Sequence, residues 1–78
     1  MKANLLTMIN WAHELVRDRC FADANTTLRC ACLLANDTLA QSALRAAQLN
    51  LKARAASAAL RNIERARSRI ASASMLEN

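Results

Sequence analysis

From residue 3 to residue 22, apolar side chains recur every three or four positions. At about 100° per residue, Leu5, Leu6, Met8, Ile9, Ala12, Leu15, Val16 and Cys20 share one broad face. Thr7, Asn10, Glu14, Arg17 and Asp18 lie opposite. This predicts an amphipathic helix over residues 3–22 with one buried side. Trp11 sits at the edge of the apolar face, where its ring can pack while its N–H reaches water. The segment "FADANTT" then offers Asp23, Asn25, Thr26 and Thr27, whose oxygens can accept bonds from the free N–H groups of a helix start. A turn over residues 23–25 follows from this, with a second helix beginning near residue 26. So short a connection makes the two helices antiparallel.

Past the turn the pattern lengthens. Leu28, Ala35, Ser42, Leu49, Ala56, Ile63 and Ile70 stand seven residues apart. Ala31, Ala59, Ala66 and Ala73 fall three positions after members of that series, and Cys32, Leu39, Ala46, Ala53 and Leu60 fall four after. Such spacing marks a helix-packing seam built largely from small residues. Arg45, Lys52 and Arg67 interrupt it, which favours a short bundle over a long uninterrupted coiled coil. "NDT", residues 36–38, holds three weak helix formers. Asp37 or Thr38 can cap a new helix there, and Thr38 with Gln41 fits a capping box. With no glycine to turn the chain, the pattern is read as one helix over residues 26–74, bent or broken at 36–38. At 1.5 Å per residue it runs to roughly 70 Å, a length that needs another helix beside it.

Within this segment "CACLLA", residues 30–35, is apolar on every side of a helix. One neighbouring helix cannot cover it. Cys30, Cys32, Leu33 and Leu34, with Leu39, Leu49, Ala56, Ile63 and Ile70 further along, are therefore expected in the core or at a dimer seam. The fold class that results is all-α: an antiparallel helical hairpin with a long second helix, dimerising into a helical bundle.

Composition supports the helical reading. The chain has 78 residues, enough for a single domain with a modest core. It contains no Gly and no Pro, so turns needing positive φ look hard to build. Alanine, leucine and arginine, all strong helix formers, are abundant, and β-branched and aromatic residues are few. No apolar run approaches the roughly 20 residues of a membrane span. Asn4, Thr7, Asn10, His13 and Glu14 break up any export-signal core near the start. The three cysteines then read as reduced thiols, and a cytoplasmic setting is expected.

Charge adds the one functional lead. Residues 1–39 carry four basic and four acidic side chains, and residues 40–78 carry seven basic and two acidic, so the formal +5 lies in the second half. On one continuous helix Arg54, Arg61, Arg65 and Arg69 fall within about 80° of one another, flanked by Asn50, Ser57, Ser68 and Ser72. The stripe suits an acidic protein surface, and it also suits phosphates, since guanidinium forks bind both. No aromatic residue interleaves with it for base stacking, and no zinc-finger or RNA-recognition spacing is present.

Other chemistry is thinly represented. His13, Cys20, Cys30 and Cys32 are ligand types for zinc, but His13 and Cys20 lie two helical turns apart, and Cys30 and Cys32 point about 160° apart. One His, no Tyr and no glycine loop give no catalytic constellation, and no cofactor, metal or small-molecule substrate is expected. The function expected is protein binding: a small helical inhibitor, adaptor or chaperone, of the kind phages and plasmids encode. It would dock on a larger protein with an acidic surface and itself form a homodimer. The alternative is a basic nucleic-acid-binding dimer using the same arginines.

Overall fold

The computed structural model describes the backbone of residues 2–77 and the side chains of residues 5–72. Among them are four α-helices and no strand: α1 (Lys2–Arg17), α2 (Phe21–Leu34), α3 (Thr38–Lys52) and α4 (Ala56–Glu77). The all-helical expectation holds, and the long second helix does not. Residues 26–74 are divided among three helices, and the turn expected at residues 23–25 lies inside α2.

Each difference has a local cause. α1 ends before residue 22 because Arg19 adopts a left-handed backbone, φ 63°. Its N–H bonds the Val16 carbonyl at 3.0 Å, and the Cys20 N–H reaches back to the Leu15 carbonyl at 2.8 Å. These are the two bonds of a Schellman cap. Arg54, φ 60°, repeats the device at the end of α3: its N–H bonds Leu51, and the Ala55 N–H bonds Asn50. Absence of glycine therefore did not prevent the turns. Two arginines take the strained conformation, which is disfavoured for a residue with a Cβ. The threonines read as caps are interior helix residues. Thr26 Oγ1 donates to the Ala22 carbonyl at 3.2 Å and Thr27 Oγ1 to the Asp23 carbonyl at 2.9 Å. Hydroxyls bonded back one turn are tolerated within a helix, and burial of Ala24 and Leu28 holds α2 in place.

The break at 35–37 is a true cap. Ala35 and Asp37 are extended, with ψ 135° and 125°. Asp37 Oδ2 accepts the Ala40 N–H at 2.9 Å, as an N-cap carboxylate does. Gln41 does not close a box on Thr38; its Nε2 donates to the Ala35 carbonyl at 2.6 Å and ties the loop together.

The helices form a closed ring. α1 packs on α2 and α4, and α3 packs on α2 and α4, with no direct approach across the diagonals among the described residues. Three-residue connections make successive helices antiparallel. Pairing of Asn10 with Arg67 and of His13 with Glu64 runs α1 antiparallel to α4 as well. Extents of 37 × 18 × 18 Å match two helices by two in cross-section.

The core repeats at an interval of thirty-five residues. Ile9, Ala12 and Val16 of α1 match Leu44, Ala47 and Leu51 of α3, all buried. Ala24, Leu28, Ala31 and Ala35 match Ala59, Ile63, Ala66 and Ile70, again all buried. The strained arginines, Arg19 and Arg54, keep the same interval. The two halves are thus similar hairpins, α1–α2 and α3–α4, arranged about an approximate two-fold axis.

Closure within one chain changes the fate of the expected seam. Ile63 and Ile70 are buried, and Ala56 and Cys32 are partly buried. Cys30, Leu33, Leu34, Leu39 and Leu49 are exposed and belong to no core of the single chain. The seven-residue series was carried across two breaks that reset the helix phase, so its α3 members, Ser42 and Leu49, face solvent while Leu28, Ala35, Ile63 and Ile70 on either side are buried. Ala73 lies outside the residues whose side chains are described.

Candidate functional site

The predicted arginine stripe survives in part. Arg61, Arg65 and Arg69 stand one turn apart on the exposed side of α4, spanning about 12 Å. They face away from Ala59, Ile63, Ala66 and Ile70, which pack inward. Arg54 does not join them. It occupies the α3–α4 turn, its guanidinium 5.8 Å from the centre of the Phe21 ring, within cation–π range. Arg67 points instead toward α1 and donates to Asn10 Oδ1 at 3.2 Å.

α4 is held so that this row faces outward. His13 Nε2 lies 3.1 Å from Glu64 Oε2 on the α1 side. Asn62 Nδ2 donates to Asn50 Oδ1 at 2.7 Å on the α3 side. Arg69 Nε donates to Asp37 Oδ2 at 2.9 Å, so the loop before α3 is anchored to α4. The Arg69 guanidinium holds the Asp37 carboxyl below its ordinary value, aided by the Ala40 N–H, and Asp37 in turn raises Arg69.

Between α3 and α4 the outer surface sinks into a groove of about 420 Å³. Leu39, Ser42 and Ala46 line it from α3, and Arg65, Ser68 and Arg69 from α4. Leu39 is 61% exposed, and Leu49, further along α3, is 65% exposed. α3 contains no acidic residue, and the Glu64 carboxylate of α4 is turned to His13. The groove therefore has an apolar wall, a floor of small residues and a cationic wall. Asp37 is the carboxylate bonded at its end.

The corresponding face of the α1–α2 half carries different chemistry. The positions matching Ala46, Arg65, Ser68 and Arg69 hold Trp11, Cys30, Leu33 and Leu34. Trp11 is 58% exposed, Leu33 81% and Leu34 53%. These four positions are apolar and uncharged, while Thr7, Glu14 and Thr26 match Ser42, Leu49 and Arg61.

A second hollow, about 600 Å³, lies at the end of the bundle where the two arginine turns meet. Arg19, Phe21, Asp23, Lys52 and Arg54 line it. Sequence reasoning missed this convergence, because it ran one helix through residue 54. The signal that could have found it is the thirty-five-residue spacing. Ala12 and Ala47, Arg19 and Arg54, Ala24 and Ala59, and Ala31 and Ala66 are identical pairs at that interval.

Among the described residues no three His, Cys, Asp or Glu side chains gather where they could hold a metal ion. Among the described residues no helix is long and apolar enough to cross a membrane. The sequence matches no family model, no curated protein and no solved structure.

Proposed function

We propose that the chain is a small helical protein-binding module that docks on a larger, acidic protein through its α3–α4 face. One observation carries this reading: the groove that bears the arginines also bears exposed leucine. Phosphates satisfy arginine but give Leu39 and Leu49 nothing to pack on, whereas a protein surface supplies carboxylates and apolar side chains together. The two aromatic residues, Trp11 and Phe21, belong to the other hairpin, so the groove has no platform for stacking bases.

The opposite hairpin supports self-association. Trp11, Leu33 and Leu34 stay exposed after the bundle has closed, and a second copy packing there would cover the outer half of "CACLLA". Sedimentation equilibrium at micromolar concentration is expected to give twice the chain mass, and Leu34→Glu is expected to give the single mass.

The docking reading is tested by replacing Arg61, Arg65 and Arg69 with glutamine, which keeps helix propensity. A partner captured from nuclease-treated lysate is expected to be lost with this variant and with Leu39→Asp. Nuclease-sensitive capture would transfer the face to nucleic acid, as would a steep salt dependence on duplex DNA that shrinks by about 0.9 in log–log slope per contact removed.

A further inference from the structure

We propose that the occupant of the α3–α4 groove is a single amphipathic helix with a carboxylate edge, laid along the bundle as a fifth helix. The inference rests on the protein-binding reading and adds the form and charge of what binds.

The form follows from α3. Its core stripe is Ala40, Ala43, Leu44, Ala47 and Leu51. Leu39, Ser42, Ala46 and Leu49 make a second stripe at alternating spacings of three and four, displaced toward solvent. That spacing is the seam another helix recognises, and the small side chains of Ser42, Ala46 and Ser68 permit close approach. Leu39 to Leu49 covers about 15 Å, or close to three turns of an occupant.

The charge follows from α4. Arg65 and Arg69 line the groove one turn apart, and Arg61 continues the row one turn further on the exposed side of α4, so carboxylates at one-turn intervals on a neighbouring helix would meet them in register. Arg69 already bonds Asp37, which leaves Arg65 as the main charge contact of the groove wall, with Arg61 at its rim. A second copy of the chain fits poorly here, because pairing this face with itself sets arginine against arginine.

The test uses the full chain and two stapled helical peptides of about three turns with identical leucines. One peptide carries glutamate beside the apolar edge, the other lysine. Fluorescence anisotropy at low salt is expected to show the glutamate peptide binding at least about tenfold tighter. In the double variant Arg61→Glu, Arg65→Glu, the preference should invert. Leu39→Asp should weaken the favoured peptide in both backgrounds, with unchanged circular dichroism. Equal binding of the two peptides, or no inversion, overturns the proposal. Two outcomes separate it from the broader reading. If neither peptide binds while a nuclease-resistant partner still requires Leu39 and Arg65, the helical occupant is wrong and protein binding stands. If only a DNA duplex binds, and the double variant abolishes it, both fall.

Discussion

The two hairpins share a core and differ on the outside. α1–α2 and α3–α4 bury matching positions, turn through the same cap and place an arginine at the same left-handed residue. Their outer faces diverge at nearly every matched position: Trp11 against Ala46, Cys30 against Arg65, Leu33 against Ser68, Leu34 against Arg69. Packing fixes the interior, where alanine-sized gaps and single branched side chains leave little freedom. The solvated face is not constrained in this way. At these positions one half exposes apolar side chains and the other exposes arginine and serine. The uneven +5 of the sequence reflects this division of the surface.

Core truncations test the first half of the comparison and have the largest expected effects. Leu28 and Ile63 are matched and fully buried. Leu28→Ala and Ile63→Ala should each cost about 3 kcal/mol by denaturant unfolding, and the two should agree within about 1 kcal/mol. A cost confined to one of them would show that only one hairpin carries the cooperative core. Leu34→Glu tests the outer half. Its side chain is half-exposed in the single chain, so unfolding of the monomer should change by less than about 0.5 kcal/mol while association is lost. Trp11, the only tryptophan, provides a second readout: dilution of the associated form should shift its emission to the red.

Much of this was legible in the sequence. Helical class follows from composition, and Ala12, Leu15, Val16, Ile63 and Ile70 lie on the faces their periodicity assigns. The breaks were harder to see because they rest on residues with no local preference for them. Arginine is a strong helix former, and nothing around Arg19 or Arg54 marks a left-handed turn. The strain is offset by the capping hydrogen bonds the turn completes and by the packing of the helices it joins. Asp37 is legible as a cap candidate, but its contact with Arg69, thirty-two residues away, is not. Arg61, Arg65 and Arg69 share the exposed side of α4, whereas Arg54 lies in the turn before it, where the periodicity continues a helix.

That strain offers a smaller, stabilising test. Glycine adopts φ near 60° without a Cβ clash, so Arg19→Gly should stabilise the chain by up to about 1 kcal/mol. Arg54→Gly should gain less, because it also removes the contact with Phe21. Equal gains would show that the cation–π contact contributes nothing, and a loss at both positions would mean the arginine side chains outweigh their backbone strain.

The smallest expected effect concerns how the halves are joined, where the symmetry fails. Asp37 sits in the loop between the hairpins, caps α3 and bonds Arg69 of α4. Its matched position in the second half is Ser72, which cannot carry that charge. The Arg69 hydrogen bond and the Ala40 N–H hold Asp37 below its ordinary value of 3.8. A carboxyl with a depressed folded value contributes stability that is complete above the unfolded value and fades as pH falls through the folded one. Asp37→Asn retains a good N-cap and removes only the charge. Wild type should therefore be the more stable protein at neutral pH by a constant margin, and that margin should close as pH drops below 3.8. High salt should narrow the margin at neutral pH, since both partners are partly exposed. A margin that stays constant down to pH 2 would assign the contribution of Asp37 to its cap alone, and the loop between the hairpins would then be held against α4 by packing rather than by this charge.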